Sequence, residues 1–259
     1  MGKIIAIANQ KGGVAKTTST INLAYALLNR GKRVLAIDAD PQASLTISFG
    51  EDEGVLEDSR LTLYFSLLKD RPITDLIIKR ERKPDLVASS ILLSKADAEL
   101  LSQMSYSATL LREKLAGIVA EYDYILIDCP PTLTLLTANA IAAAHNVLIP
   151  VKTDYLSVRG IPLILETIET LRMKANKDLE VLGVLPTLYN TRYSRDNEVL
   201  EQLRAVLQRR RIRVFEPIPR SVGFDKATSE GVPALVLLPN TPGVENYYKL
   251  ADEIINHAS

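Results

Sequence analysis

The chain has 259 residues, with 31 Lys and Arg against 31 Asp and Glu, 47% hydrophobic residues, 12 Gly and 13 Pro. That length and apolar content suit one large α/β unit spanning 1–259 with a packed core, and the modest Gly and Pro content excludes a disordered or collagen-like chain. One cysteine, Cys129, and two histidines, His145 and His257, exclude an internal disulfide and a Cys/His metal cluster, and they point to a reducing cytosol.

In chain order, short apolar runs alternate with longer segments of helical period. Strands are expected over 3–8, 33–37, 85–89, 123–127, 146–151, 179–185 and 213–216. Helices are expected over 17–29, 95–105, 110–121, 163–174 and 197–209, with Gly31 as a stop after the first. The stretch 50–84, mixed in charge and weakly periodic, yields no clear element. A strand-first alternation of this kind predicts an α/β fold: a mostly parallel, twisted sheet with helices on both faces. Ligands of such sheets sit at the carboxyl ends of the strands, so the residues just after each strand carry the chemistry. No apolar run approaches the ~18 residues of a membrane-spanning helix. Ala6 stands where a myristoylation signal has Ser or Thr, and no signal-peptide core follows Lys3, so export and lipidation are not expected.

The first strand runs into Asn9-Gln10-Lys11-Gly12-Gly13-Val14-Ala15-Lys16-Thr17-Thr18, where a helix begins. A strand, a loop of small residues and then Lys-Thr opening a helix is what phosphate binding requires, because backbone N–H groups converge on the anion and the helix N-terminus adds positive potential. In that arrangement Lys16 meets the β- and γ-phosphates and Thr17 binds Mg²⁺. The common G-x-x-x-x-G-K-[ST] pattern fails, since its glycines fall on Gln10 and Ala15. Two further strand ends carry acids. Asp38 and Asp40 close the second strand, spaced to point the same way by the two-residue period, and Asp128 closes the apolar run 124–127. Alone, either strand end reads equally as a helix cap or a solvated terminus. With Lys16 and Thr17, three strand ends converge on one edge. Cys129 reads as a packing residue and His145 as a strand cap or start.

The segment 9–18 resembles the deviant Walker A box, K-G-G-x-G-K-[ST], of the ParA/MinD family of ATPases, and the chain is most similar to the Soj-like ParA partition ATPases of that family. The resemblance implies a deviant P-loop fold in which Gly12, Gly13, Val14, Ala15, Lys16, Thr17 and Thr18 cradle ATP. It also implies that Lys11 reaches across a nucleotide-sandwich homodimer to the partner's ATP. Ala15 departs from the family's glycine, at a cost of about 1 kcal/mol where φ is positive. Asp40 is expected to orient the attacking water, Asp38 to support the Mg²⁺ shell and Asp128 to hold Mg²⁺ through water. Segments 155–171, 182–192, 214–231 and 243–251 extend the resemblance over nearly the whole chain and assign Asn190 and Pro219 to the nucleotide. Lys152 stands where relatives carry an uncharged polar residue, and it reads either as a contact to nucleotide or dimer partner or as a solvated lysine.

A partition ATPase of this kind acts in the cytoplasm on the nucleoid. Its ATP-bound dimer holds double-stranded DNA nonspecifically, and an adaptor bound to the cargo triggers hydrolysis. Residues 187–226 carry nine Lys and Arg against five Asp and Glu, a local net charge of +4 in a neutral chain. Arg192 and Arg220 match arginines of the DNA site. A further arginine three residues after Arg220 is Gly223 here, and Arg209, Arg210 and Arg211 read either as compensation or as cations complementing a helix C-terminus. A MinD-like membrane ATPase would end in a basic amphipathic helix, whereas residues 249–259 are acidic on balance, so no membrane contact is expected. An iron-protein relative needs more thiolates than one Cys129. A ligase or amidase of the same fold remains the alternative enzyme.

Overall fold

The computed structural model describes residues 2–102, 108–190 and 192–257. Six parallel strands, β1 (Lys3–Ile7), β2 (Val34–Asp38), β3 (Asp85–Val87), β4 (Tyr124–Asp128), β5 (Asn146–Lys152) and β6 (Glu180–Thr187), form one sheet in the order β3-β2-β4-β1-β5-β6. The central strands read as continuous apolar runs because both of their faces are covered. Ile4, Leu35, Ile37, Ile125 and Ile127 belong to one core, while their alternating neighbours Ile5, Ile7, Val34, Ala36 and Leu126 belong to the other. Helix α1 (Lys16–Asn29) and the last helix, Val244–His257, pack together and fill the second core with Ile21, Leu23, Leu27, Tyr247, Leu250 and Ile254. The first core is closed by helices that include Leu135–Ala143, Ile161–Lys174 and Ser194–Gln208.

Three expectations need correction. Segment 213–216 is not a strand but touches β6 through a single bridge, Val214 to Val184. Its ladder stops because Pro217 and Pro219 bring no N–H. The close approach depends on Gly183, whose φ is +156° and where a Cβ would lie 2.6 Å from the Phe215 ring. Segment 110–121 is divided into a helix over Leu110–Leu115 and a 3-10 turn over Val119–Glu121, and segment 95–105 follows a 3-10 turn (Ile91–Lys95) into a helix over Ala96–Ser102. The end of that expected helix, 103–105, lies outside the described residues. The stretch 50–84 holds two short helices, Glu53–Asp58 and Leu63–Leu68, and a 3-10 turn, Ile73–Leu76. Among the described residues no helix is long and apolar enough to cross a membrane.

Candidate functional site

The loop between β1 and α1 is built by side chains that fix its backbone. Asn9 Nδ2 donates to Pro150 O at 2.7 Å, Asn9 Oδ1 accepts from Lys11 N at 3.0 Å, and Thr187 Oγ1 donates to Val14 O at 3.0 Å. Gly13 and Ala15 both adopt positive φ, 68° and 60°. Gly13 does so freely, while Ala15 carries the left-handed strain that its Cβ implies. Ala15 supplies no side-chain cap to α1, and a Cβ placed on Gly12 or Gly13 would meet nothing within 4 Å. The loop therefore presents uncapped amides of a helix N-terminus beneath open space, a cradle of the shape and polarity that a phosphate needs.

Around this cradle the strand ends bring charged groups together. Thr17 Oγ1 donates to Asp128 Oδ2 at 2.6 Å, and Thr20 Oγ1 donates to Asp128 Oδ1 at 3.1 Å. Lys16 is buried, and its Nζ donates to the Lys11 carbonyl at 3.3 Å. Burial pulls its pKa down, against the attraction of Asp128, Cys129 and Asp40. Asp38 and Asp128 are fully buried. Burial, and for Asp38 the nearby charge of Asp128, push these carboxyls up to about 7, while the hydroxyl of Thr17 and the charge of Lys16 oppose the rise at Asp128. Asp38 Oδ2 accepts from both Thr46 N and Thr46 Oγ1 at 2.8 Å, and Asp38 Oδ1 accepts from Asp40 N at 3.1 Å. β2 ends at Asp38, and Asp40 follows just beyond it, where its charge acts on both Lys16 and Asp128. Asp38 organises the turn from beneath, and Asp40 stands half-buried beyond it.

Among the described residues no three His, Cys, Asp or Glu side chains group as a metal cage. Thr17 and Asp128 instead offer hard oxygen donors beside the phosphate cradle, a set that fits Mg²⁺, which takes few protein ligands and completes its shell with water and phosphate oxygens. Cys129 is fully buried, with its thiol pushed up by burial and by Asp128, and has no exposure for attack. His145 Nδ1 accepts from Ile4 N at 2.9 Å, which makes it a strand cap.

Beside the cradle lie two cavities of about 250 and 410 Å³. The smaller touches the cradle at Ala15 and Thr18 and is walled by Leu188, Pro219 and Tyr247. The larger holds Asn190, and Lys152 and Arg220 line both. Lys152 is exposed at the end of β5, with its ammonium 3.4 Å from Asp154 Oδ2. Lys11 also turns to Asp154, whose carboxyl is held at about 2: burial opposes this, but the backbone and hydroxyl of Ser157 and the ammonium of Lys11 outweigh it.

The five arginines assigned to DNA do not form one patch. Arg192 and Arg220 are exposed at the carboxyl edge, with Arg192 N donating to Asn190 Oδ1 and Arg220 N donating to Tyr189 O. Arg209, Arg210 and Arg211 lie beyond the other end of the helix Ser194–Gln208, about 22 Å away along its 15 residues. Arg211 takes φ 57° in the turn that stops the helix, and Ile212 N returns to Leu207 O. Arg213 is engaged by Glu253 at 3.3 Å.

A family model described as an AAA domain matches residues 2–181. The chain is 39% identical over 258 residues to the chromosome partitioning protein ParA of Myxococcus xanthus, covering 98% of this chain and 88% of that protein. It is 38% identical over 256 residues to the sporulation initiation inhibitor protein Soj of Bacillus subtilis, covering 98% of each. The chain belongs to the ParA/MinD family of partition ATPases. Among solved structures, it is similar to a Mycobacterium smegmatis protein described as cobyrinic acid a,c-diamide synthase with bound ATP analogue and magnesium (34% identity, TM-score 0.87, covering 100% of this chain and 96% of that one). It is also similar to a variant of McdA from Cyanothece in complex with ATP (27% identity, TM-score 0.86, covering 98% and 96%).

One departure from the ParA/MinD pattern now has a physical reason. A Cβ on Gly223 would fall against the side chain of Thr241, so the arginine expected there has no room while Thr241 keeps its place. Several residues of the site escape sequence reasoning. Thr20 and Thr46 are undistinguished hydroxyls until the fold delivers them to Asp128 and Asp38. Asp154 is the exception, because an Asp just ahead of a helical run is a preferred N-cap residue legible in the sequence.

Proposed function

We propose that this chain is a ParA-type ATPase that closes over ATP and Mg²⁺ as a two-subunit sandwich, binds double-stranded DNA without regard to sequence, and positions a cargo when an adaptor protein stimulates hydrolysis. The observation that carries this reading is the convergence of Lys16, Thr17, Asp40 and Asp128 on the cradle formed by residues 12–15, with a second lysine, Lys11, at its rim. Bound Mg²⁺ supplies positive charge to the phosphates and offsets the cost of keeping Asp128 ionised in a buried site. Lys16 and the amides opening α1 bind and orient the phosphates. Thr17 would bind Mg²⁺ and Asp128 would hold it through water, Asp38 fixes the turn that carries Asp40, and Asp40 accepts a hydrogen bond from the attacking water. Asn190 and Pro219 line the side where base and ribose lie, in the two cavities beyond Ala15 and Thr18, and Lys152 stands where the two cavities meet. Arg192 and Arg220 face DNA phosphates.

The likeness to a diamide synthase favours a second reading, an ATP-dependent ligase or amidase. ATPase rates measured with and without duplex DNA and with the adaptor separate the two. A partition ATPase is stimulated by DNA and adaptor together, whereas a ligase ignores both and turns over in proportion to a small carboxylate substrate.

A further inference from the structure

Lys11, the lysine at the rim of the phosphate cradle, is held by its own subunit. Its Nζ lies 3.2 Å from Asp154 Oδ1 and donates to Ser157 Oγ at 2.9 Å. Asp154 caps the helix Tyr155–Arg159 by accepting from Ser157 N at 2.7 Å, and its second oxygen, Oδ2, lies 3.4 Å from Lys152 Nζ. One carboxylate thus carries two ammonium groups, one on each oxygen. The Lys11 backbone is fixed independently, since its N–H is bound to Asn9 and its carbonyl accepts from Lys16. Only a partly exposed side chain has to swing for the ammonium to leave.

Two like charges on one carboxylate repel each other, so each weakens the hold on the other. A departing Lys11 would otherwise strip Asp154 of its cation, and Lys152 is in place to keep the carboxylate paired. We propose that Lys152 is a positioning residue acting through Asp154: it loosens the contact that sequesters Lys11 and remains as counter-ion when Lys11 swings toward the nucleotide of a second subunit. This rests on the sandwich reading above. It also gives Lys152 a role distinct from touching nucleotide or partner directly.

The test compares the full-length parent with Lys152→Gln, Asp154→Asn and the double variant, with Mg²⁺ and a nonhydrolysable ATP analogue, by sedimentation equilibrium. Asn caps helices as well as Asp does, so the helix start is preserved. Lys152→Gln is expected to weaken dimerisation roughly two- to twenty-fold, because the Lys11 pair opens once in each subunit and an exposed pair is worth little. Asp154→Asn is expected to strengthen dimerisation and to erase the effect of Lys152→Gln. An equal effect of Lys152→Gln in both backgrounds assigns the lysine to direct contact and overturns the proposal, as does weaker dimerisation of Asp154→Asn. A second measurement needs no dimer: the Asp154 carboxyl, followed by NMR in the nucleotide-free monomer, is expected to titrate higher in Lys152→Gln and in Lys11→Ala. No change in Lys152→Gln overturns the shared-carboxylate arrangement. A parent that stays monomeric defeats the sandwich reading and the counter-ion step with it, while the NMR result still decides whether Lys152 sets the hold on Lys11.

Discussion

The carboxyl edge of the sheet and the arginine-bearing flank of residues 187–226 handle charge in opposite ways. At the edge, Lys16, Asp38 and Asp128 are buried, and each is bound to named donors or acceptors at fixed distances. On the flank, Arg192, Arg209, Arg210, Arg211 and Arg220 are exposed, and among the described residues none of them makes an ion pair. A buried charge is costly unless its partners are in place, so its geometry is set by the fold and its removal is felt strongly. An exposed arginine costs little, tolerates many positions and acts through the number of phosphates it meets. On the proposed reading, the edge takes one small anion in one pose and the flank a long polyanion in many.

The sharpest break between the two regions is therefore expected at Lys16. Lys16→Ala should weaken ATP binding by about a hundred-fold or more, the scale of removing one partner from a buried charge pair. Asp40→Ala should bind ATP nearly as the parent does and fail to hydrolyse it, because Asp40 acts on water in the chemical step rather than on the bound phosphates. Equilibrium binding of labelled ATP to both variants checks the pair, and normal affinity in the Lys16 variant removes the phosphate assignment.

Lys11 stands between the two regimes, partly exposed yet doubly bonded. Lys11→Ala is expected to leave ATP binding by the monomer within a few-fold and to block ATP-dependent dimerisation or the hydrolysis that depends on it. Light scattering with a nonhydrolysable analogue reads the first and phosphate release the second. A variant that dimerises and hydrolyses as the parent does removes the role of the lysine and leaves the rest of the site intact.

On the flank, effects should be graded rather than absolute. Arg192→Ala and Arg220→Ala should each weaken DNA binding alike on all sequences and flatten the log–log salt dependence by about 0.9 for each phosphate no longer neutralised. The triple variant Arg209/Arg210/Arg211→Ala should have the smaller effect, because these residues close the far end of the helix Ser194–Gln208 and complement its dipole there. A larger loss in the triple variant than at Arg220 would move the DNA surface to the opposite edge of the sheet.

The same contrast explains what was legible in the sequence. The phosphate loop was legible because its chemistry is contiguous: residues 9–18 are strand end, loop and helix start in one stretch. The central strands were legible because burial on both faces leaves unbroken apolar runs such as 124–127. Residues 213–216 looked like another such run, yet two prolines just beyond and the contact with Gly183 make them an edge segment bridged once. The local charge of +4 is legible, but its division is not, because charge counted along a chain ignores a helix of about 22 Å between Arg192 and Arg209. The partners of Asp38 are not legible, because Thr46 lies eight residues on and only the fold brings its N–H and hydroxyl to the buried carboxylate.

The smallest effect expected concerns Ala15, where the edge departs from the family pattern. Its φ of 60° and ψ of 37° lie in the left-handed region, where a Cβ costs about 1 kcal/mol and glycine costs nothing. Glycine also gives the unfolded chain more freedom, which returns part of that gain. Ala15→Gly should therefore stabilise the protein by about 0.5 kcal/mol and raise Tm by roughly 1–2 °C for a chain of this size. Because Ala15 lines the cavity beside the cradle, removing its methyl should also open space next to the phosphates without removing any donor. ATP affinity is then expected to stay equal or improve slightly, as read by calorimetric titration alongside thermal melting. A fall in Tm would mean that the left-handed turn is held by its neighbours at no cost to Ala15, and that the methyl packs usefully against the wall of the cavity.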